Sequence, residues 1–418
     1  MSNKNPILDP DSRMVSGPVN VIRLEGSVHG IKKVIYLFLD YHLGLNSQTQ
    51  CSNIFSEDVQ KYFTHSFYKL NEGNKIYDFF LEVYPSEVAS KEYRKDIAKS
   101  EGKEKYIEEV VKLFRKIFEY DSKKNKVSIN KLFKNVRLHY LDIRDYYKGK
   151  FHEKLSEMVT IANKFTKMDY IDVKGLERII DLMEMMKQHL ELVVDILSKK
   201  SRKISKKTII RENVRSGTID AESLEYLANK IKNLYKYPDV KNAMNDLISL
   251  SIDNFEKTIN DIDNAIDDFN LYADKISVGD KLIKDPNTSY VFSYGLSPYT
   301  IREMAVDIYN RVEKLLDENF VEFFARFTDI YFLRRFLDKD YITNAIVYSG
   351  ALHSNTYINV LVKLFGFRVT HLSYSKIKNL DKLNSEIKKR PLMEIQELIL
   401  PEYLDQCSDM NSFPREFL

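Results

Sequence analysis

The feature that most constrains this chain is an uninterrupted apolar run, Val34–Leu39, that stops abruptly at Asp40, Tyr41 and His42. Such a run is typical of a strand buried on both faces, although a buried helix segment can show the same pattern. We interpret it as a strand. Because side chains alternate along a strand, Asp40 and His42 are expected on the same side of its carboxyl end, where open α/β sheets bind ligands. A carboxylate beside an imidazole predicts an acid/base pair or part of a metal site.

Other predicted strands and helices alternate along the chain. The eight residues GSVHGIKK separate the apolar run from a preceding strand at Val19–Glu25, and they are too few for a parallel crossover, so an antiparallel hairpin is predicted. Further strands are predicted at Lys75–Pro85, Asn135–Arg144, Asn344–His353 and Arg368–Ser373. The predicted fold class is α/β, with a mostly parallel sheet, an N-terminal antiparallel hairpin and a large all-helical insertion.

The helical insertion is predicted from the spacing of apolar residues in the middle of the chain. One series at helical spacing is Leu176, Ile179, Ile180, Met183, Met186, Leu190, Val193 and Leu197, and a second runs from Leu247 to Phe269. These series predict two long helices in a helical subdomain. The predicted organisation is a flexible leader at 1–18, an α/β core at 19–150 and 299–376, the insertion at 151–298 and a C-terminal tail at 377–418.

Polar residues follow several of the predicted strands. If those strands are parallel, their carboxyl ends meet at one edge of the sheet. The polar residues at any one strand end, taken alone, are also consistent with a purely structural role. The residues at the four strand ends are Asp40 with His42, Glu82, Asp142 with Arg144, and Gly350 with His353.

Imidazoles and carboxylates at such an edge suit two kinds of chemistry. They can bind a divalent metal, whose bound water can have a pKa of ~7 and act as a hydrolytic nucleophile, or they can work as an acid/base pair. An arginine there can bind an anion or stabilise a developing oxyanion. The predicted catalytic residues are Asp40, His42, Glu82, Arg144 and His353, and the predicted ligands of a divalent metal of unspecified identity are His42, Glu82 and His353.

Two other polar pairs have simpler explanations. Glu25 and His29 flank the predicted hairpin, where a His-Gly pair favours a turn over a functional site. Arg326 and Asp329 are three residues apart in a predicted helix, which favours an intrahelical ion pair.

The overall charge gives little reason to expect nucleic-acid binding. The net charge of +3 is the remainder of 64 basic and 61 acidic residues. The strongest basic run, Lys199–Lys207, can bind phosphate, but a solvated helix end is favoured.

The chain is expected to remain inside the cell that makes it. No apolar run reaches the ~18 residues of a membrane span, and Met1–Pro18 has no signal-peptide core. The two cysteines, Cys51 and Cys407, are too few for a disulfide framework and fit a reducing compartment.

Four segments of the chain resemble segments of a known group of proteins: RLEGSVHGIKKVIYLFLDYHLGLNSQTQC, YDFFLEVYP, NVRLHYLDIRDYY and NAIVYSGALHSNTYINVL. With them the chain resembles a group of uncharacterised proteins from giant DNA viruses of the mimivirus kind. This resemblance implies a viral protein that acts in the host cytoplasm or is packaged in the virion, and it implies no activity.

A second likeness is to the Tiki/TraB and erythromycin-esterase-like superfamily. Its α/β core carries an acidic-x-His motif on an early strand, a Glu on the next, an Arg and a late Gly-x-x-His. This chain has Asp40 where that family more usually has Glu, and family members differ in chemistry, so the likeness leaves the reaction open. The corresponding residues are Asp40, His42, Glu82, Arg144, Gly350 and His353.

These observations support two hypotheses about function, one enzymatic and one non-catalytic. The leading hypothesis is a metal-assisted or acid/base hydrolase-like viral protein, with an unknown substrate, in which His42 and His353 are ligands or bases and Arg144 stabilises charge. In it, Asp40 and Glu82 are ligands or the general base. The alternative is a non-catalytic interaction or virion-associated protein whose helical insertion binds a host or virion protein.

Overall fold

A computed structural model describes residues 11–42, 51–82, 110, 118, 120–121, 126–127, 131–143, 151–168, 170–198, 221–233, 235–283, 298–315, 322–391 and 394–417. The segment Glu87–Tyr120, whose apolar residues recur at the three-four spacing of one helix face, is also predicted to be helical, but it lies for the most part outside these residues. The basic run Lys199–Lys207 lies wholly outside them. Both stay predictions.

The described residues form both strands and helices, with a run of helices between β8 and β9. The strands are β1 (Met14–Ser16), β2 (Asn20–Val28), β3 (Ile31–Asp40), β4 (Glu57–Asp58), β5 (Tyr77–Leu81), β6 (Tyr120–Asp121), β7 (Lys126–Val127), β8 (Val136–Tyr140), β9 (Asn344–Gly350), β10 (Arg368–Leu372) and β11 (Cys407–Asp409). The helices are α1 (Val59–Lys69), α2 (Phe151–Met168), α3 (Val173–Ser198), α4 (Ala221–Lys232), α5 (Pro238–Ile283), α6 (Pro298–Lys314), α7 (Glu322–Asp338), α8 (Ala351–Leu364), α9 (Leu380–Lys389) and α10 (Gln396–Ile399).

A six-stranded sheet has the order β10-β2-β3-β9-β5-β8. The pairs β3·β9, β9·β5 and β5·β8 are parallel, whereas β10·β2 and β2·β3 are antiparallel. The α/β class is therefore confirmed, with a sheet of mixed orientation. In the smaller sheet β11-β1-β4, β1 pairs antiparallel with β11 and parallel with β4.

The predicted hairpin is formed by β2 and β3 around a two-residue turn. Val28 pairs with Ile31, which leaves His29 and Gly30 as the loop. Their φ angles are 51° and 80°, as expected for a type I′ turn, which matches the right-handed twist of the flanking strands. The turn explanation of His29 is therefore confirmed.

An aromatic core covers one face of the sheet. Helix α1 buries Val59, Tyr62, Phe63, Ser66 and Phe67, which recur at the three-four spacing of one helix face. The Phe63 ring packs edge-on against Phe38 of β3, with ring centroids 4.8 Å apart. Burial of each such ring stabilises the fold by about 1.5–3 kcal/mol, so this face anchors the strands that carry the candidate site.

The amino-terminal and carboxyl-terminal segments differ from the prediction. Residues 14–16, predicted to lie in a flexible leader, form β1 and pair with β11 in the predicted tail. Strands of three residues are too short to show an alternating pattern, so no sequence signal marked them. Cys51 and Cys407 form a disulfide with Cα atoms 5.2 Å apart, which corrects the interpretation that both thiols are reduced.

The end of β9 also corrects a prediction. A strand was predicted at Asn344–His353, but β9 ends at Gly350 and α8 begins at Ala351. An apolar run does not by itself distinguish a strand from a buried helix, and Gly350 here is the N-cap residue of α8. His353 is consequently in the first turn of a helix.

The chain divides into two compact units. The first comprises Met1–Ile143, Lys236–Val240 and Tyr331–Leu418, and the second comprises Arg144–Tyr235 and Lys241–Ile330. The first unit contains both sheets described above.

The second unit contains the predicted long helices. Helix α2 packs against α3 and α6. The predicted apolar series of α3 is buried except for Ile180. Arg326 and Asp329 of α7 form the predicted intrahelical ion pair at 3.0 Å, with both side chains nearly inaccessible to solvent. In the part of the chain that the structure describes, no helix has the length and apolar character needed to cross a bilayer.

Candidate active site

Asp40 and His42 form a hydrogen-bonded pair at the carboxyl end of β3. The Asp40 Oδ2 atom lies 2.5 Å from His42 Nδ1. The Asp40 side chain is inaccessible to solvent, whereas the His42 side chain is 38% exposed. A hydrogen bond in which an ionised Asp40 accepts from Nδ1 would leave the lone pair of a neutral His42 ring on Nε2. This is the tautomer that a general base needs.

His42 reaches this position through an unusual backbone conformation. Strand β3 ends at Asp40, and His42 has a φ angle of 55°, in the left-handed region that non-glycine residues rarely adopt. A non-glycine residue held there costs on the order of 1–3 kcal/mol. Strand alternation predicted that Asp40 and His42 share a side. The structure brings them together by a turn beyond the strand end.

Glu82 and His353 form a second carboxylate–imidazole pair. Glu82 follows β5, and its Oε1 atom lies 3.0 Å from His353 Nε2 in the first turn of α8. The backbone N–H of Gly350 donates to Glu82 Oε2 over 2.7 Å. Both side chains of the pair are at least 94% buried.

The two pairs converge at Gly350. The point where a Cβ of residue 350 would lie is 3.2 Å from His42 Nε2, 3.4 Å from Glu82 Oε2 and 3.7 Å from His353 Cδ2. The rings of His42 and His353 are thus separated by less than the sum of two such contacts. Gly350 has ordinary φ and ψ angles of −53° and 146°, so a side chain is excluded here by close approach rather than by backbone conformation.

The amino terminus of α8 adds a favourable electrostatic contribution. Gly350 is its N-cap residue and has no side chain with which to cap the helix. First-turn amides such as those of Ala351 and Leu352 have no partner within the helix, and the helix dipole makes this end positive. Negative charge on Glu82, or charge that develops on a substrate oxygen, is therefore stabilised near this end.

The predicted metal ligands do not form a metal cluster. Among the residues that the structure describes, no group of three or more His, Cys, Asp and Glu side chains is arranged to hold a metal ion. The reason is visible in the contacts: Glu82 faces His353 and Gly350, and His42 Nδ1 faces Asp40.

The remaining strand-end residues have different outcomes. Arg144 lies outside the described residues, so its predicted role stays a prediction. Asp142 is buried beyond the end of β8, where the neighbouring Leu141 N–H donates to Leu81 O over 2.9 Å. Leu81 is opposite Tyr140 in the parallel register, so Glu82 is level with Leu141 and Asp142 lies one residue further along.

A second buried polar cluster lies toward the amino ends of β5 and β8, and sequence patterns did not reveal it. The buried Asp78 carboxylate accepts two hydrogen bonds from Arg137 and one from His139 Nε2, at 2.6–2.8 Å. The other His139 nitrogen, Nδ1, accepts from Arg335 Nη2 over 3.2 Å. Burial lowers the pKa of His139, and the nearby arginines contribute to this effect. With both ring nitrogens engaged, this cluster has the properties of a structural network.

The fold and these contacts define an α/β protein with two carboxylate–imidazole pairs at the carboxyl edge of its central sheet. A model for a family of unknown function, DUF5847, matches residues 13–418, and the chain belongs to this family. It is 62% identical to uncharacterized protein R706 of Acanthamoeba polyphaga mimivirus over the full length of both chains. It is 35% identical to uncharacterized protein R161 of the same virus, over 98% of this chain and 99% of that protein. No solved structure matches the chain.

This family membership confirms the resemblance to uncharacterised proteins from giant DNA viruses of the mimivirus kind. The comparisons give no support for the likeness to the Tiki/TraB and erythromycin-esterase-like superfamily.

Proposed function

We propose that this protein is a hydrolase in which His42 is the general base. The observation that carries the proposal is that His42 Nδ1 is paired with the buried Asp40 while Nε2 faces the same point beside Gly350 as Glu82 Oε2. A base oriented by a buried carboxylate, next to a second carboxylate, is an arrangement suited to activating water.

The reaction would proceed by proton transfer through His42. A water hydrogen-bonded to Nε2 gives up a proton as its oxygen attacks the electrophilic carbon or phosphorus of an ester-type substrate. Asp40 stabilises the imidazolium that forms. The bond to the leaving group then breaks, and Nε2–H returns the proton to that group. Positioned proton transfer of this kind contributes roughly 10²–10⁴-fold to a rate.

The other groups at the edge would stabilise the transition state. The amides of Ala351 and Leu352, at the positive end of α8, are the proposed donors to the developing oxyanion. The Glu82–His353 pair holds the Gly350 N–H and so fixes the strand-to-helix junction from which those donors project. Arg144 is retained as a proposed charge stabiliser.

The metal-assisted form of the proposal uses the same residues. A divalent ion held by His42, Glu82 and His353 would supply a bound water of lowered pKa. It requires these side chains to turn away from their present partners. Elemental analysis after incubation with zinc or manganese tests it, and protein that stays metal-free contradicts it.

The hydrolase proposal is tested with a panel of chromogenic carboxyl esters, phosphoesters and peptides. His42→Gln and Asp40→Asn are expected to lower any activity found by at least tenfold. His65→Gln is a matched control, because His65 Nδ1 also pairs with a carboxylate, Glu57 at 2.9 Å, on an exposed surface. Activity that survives both site variants would contradict the proposal, and a panel with no activity would favour the alternative of a non-catalytic interaction protein.

For location, we propose the virion rather than the host cytoplasm. The support is the Cys51–Cys407 disulfide, because disulfides persist in oxidising surroundings and are rare where thiols are kept reduced. Thiol alkylation of the protein taken from purified particles, without added reductant, should modify neither cysteine. Modification of both would contradict this location.

A further inference from the structure

Asp40 has a second contact besides His42. The Tyr348 hydroxyl lies 3.4 Å from Asp40 Oδ1, the oxygen that does not face His42. Tyr348 is completely buried. The two carboxylate oxygens are therefore in contact with two different groups, one in the core and one at the edge of the site.

The strand register explains why these side chains meet. In the parallel pair β3·β9, Phe38 is opposite Tyr348 and Asp40 is opposite Gly350. Tyr348 is thus two residues behind Gly350 on the same face of the sheet, a separation of about 6.6 Å along the strand. A tyrosine is long enough to bridge this distance, and residue 350 contributes no side chain that would block it.

The position of the Tyr348 ring is set by packing rather than by its hydroxyl. The ring belongs to the aromatic core cluster and lies edge-on to Phe63, with centroids 5.9 Å apart and an interplanar angle of 87°. Well-packed interiors hold side chains in single rotamers. The packing of the ring therefore fixes where the hydroxyl donor lies relative to Asp40.

We infer that Tyr348 is a positioning residue: its hydroxyl fixes the Asp40 carboxylate in the orientation that keeps the proton on His42 Nδ1 and the lone pair on Nε2. The inference rests on the proposed role of His42 as the base. Tyr348 itself touches no reacting atom. Without its hydroxyl, the Asp40 carboxylate can rotate, and the Nε2–H form of His42 gains population.

A purely structural role for Tyr348 predicts something different. Removing a buried hydroxyl leaves its acceptor without that donor and costs stability wherever the pair lies. Loss of stability alone therefore cannot distinguish the two roles. The tautomer ratio of the His42 ring can distinguish the two roles, because only a contact transmitted through Asp40 changes it.

The test compares two variants of the full chain, Tyr348→Phe and Tyr77→Phe. Tyr77 is a matched control because it is buried in the same cluster and its hydroxyl also lies 3.4 Å from an oxygen, the backbone carbonyl of Phe417. Each change removes one oxygen atom. The readout is the pair of ¹⁵N chemical shifts of the His42 ring at a fixed alkaline pH, assigned with His42→Gln.

Tyr348→Phe is expected to move the two His42 nitrogen signals toward each other, whereas Tyr77→Phe should leave them at wild-type values. The expected change in tautomer ratio is roughly fivefold, the factor equivalent to about 1 kcal/mol for one hydrogen bond. Unchanged signals in Tyr348→Phe, or equal movement in both variants, would overturn the inference.

This readout does not depend on activity. A hydrolysis panel without any activity would contradict the proposed function and leave the Tyr348 result standing. Asp40→Asn further separates the inference about Tyr348 from the proposed function. This variant should alter the His42 signals more than Tyr348→Phe does. If Asp40→Asn changes nothing, the Asp40–His42 pair is not formed in solution, and the inference is overturned together with the base on which it rests.

Discussion

Gly350 and His42 approach so closely that a Cβ atom on residue 350 would lie 3.2 Å from His42 Nε2. This contact is tighter than most real Cβ contacts, so an added methyl group must displace the imidazole or the Glu82 carboxylate behind it. The space beside Gly350 is where the proposed reaction needs room for water.

Gly350→Ala is therefore expected to reduce hydrolytic activity by at least tenfold. The change in the free energy of unfolding should stay within about 1 kcal/mol, because the φ and ψ angles of Gly350 suit alanine. Steady-state kinetics and chemical denaturation measure the two effects. Gly73→Ala is the control, since its Cβ would meet only Leu70 O at an ordinary 3.6 Å. A Gly350→Ala variant with full activity would show that the reacting groups do not use this space.

The Cys51–Cys407 disulfide joins positions 356 residues apart. Such a cross-link restricts the unfolded chain strongly, and native disulfides commonly stabilise by about 2–4 kcal/mol. The double variant Cys51→Ser/Cys407→Ser should unfold at a lower denaturant concentration than oxidised wild type. Reductant should bring wild type to the variant's midpoint and leave the variant unchanged. Equal midpoints for oxidised wild type and the variant would contradict a stabilising role.

His139 should make stability depend on pH. Burial lowers its pKa in the folded protein, whereas in the unfolded chain it titrates near ~6.5. Below that pH the unfolded state binds more protons, so the contribution of neutral His139 to stability is present above ~6.5 and is lost as pH falls toward the lowered folded value.

Denaturation at a series of pH values measures this dependence. His139→Gln, which cannot titrate, should show a smaller loss of stability between about pH 7 and pH 5 than wild type. His65→Gln, a change on the exposed surface, should keep the wild-type slope. An unchanged slope in His139→Gln would mean that other groups cause the acid sensitivity.

Asn384 protects an edge of the six-stranded sheet. Its side chain accepts from Val369 N over 2.8 Å and donates to Val369 O over 3.0 Å, so it pairs with edge strand β10 as a neighbouring strand would. Asn384→Ala should destabilise the protein by about 1–3 kcal/mol, because it leaves buried backbone groups without partners. It should also speed hydrogen exchange at the Val369 amide.

Asn384→Asp is the matched variant for this edge. It keeps the acceptor for Val369 N and loses the donor to Val369 O, so exchange at the Val369 amide should stay closer to wild type than in Asn384→Ala. Equal exchange rates in the two variants would contradict the pairing.

Several features could be predicted because they depend on local chemistry. The run Val34–Leu39 lies within β3, since six successive apolar side chains need burial on both faces of a sheet. The His29–Gly30 turn followed from its residue types, and the stripe of α3 from its three-four spacing. Of the proposed site residues, Asp40, His42, Glu82 and His353 do converge, because each lies at or just beyond an element end at one edge of the sheet.

Tertiary structure decided what depends on residues far apart in the chain. The pairing of β1 with β11 and the Cys51–Cys407 bond each bring together positions more than 350 residues apart, and strands of three residues carry no periodic signal. The partners of Asp78 and the contact between Tyr348 and Asp40 depend on strand register, which alternation alone does not specify. The sequence determined which segments are buried and where polar groups end them. Only the packed chain determined which of those groups touch, because hydrogen-bond partners are set by distances of a few tenths of an ångström that local patterns do not encode.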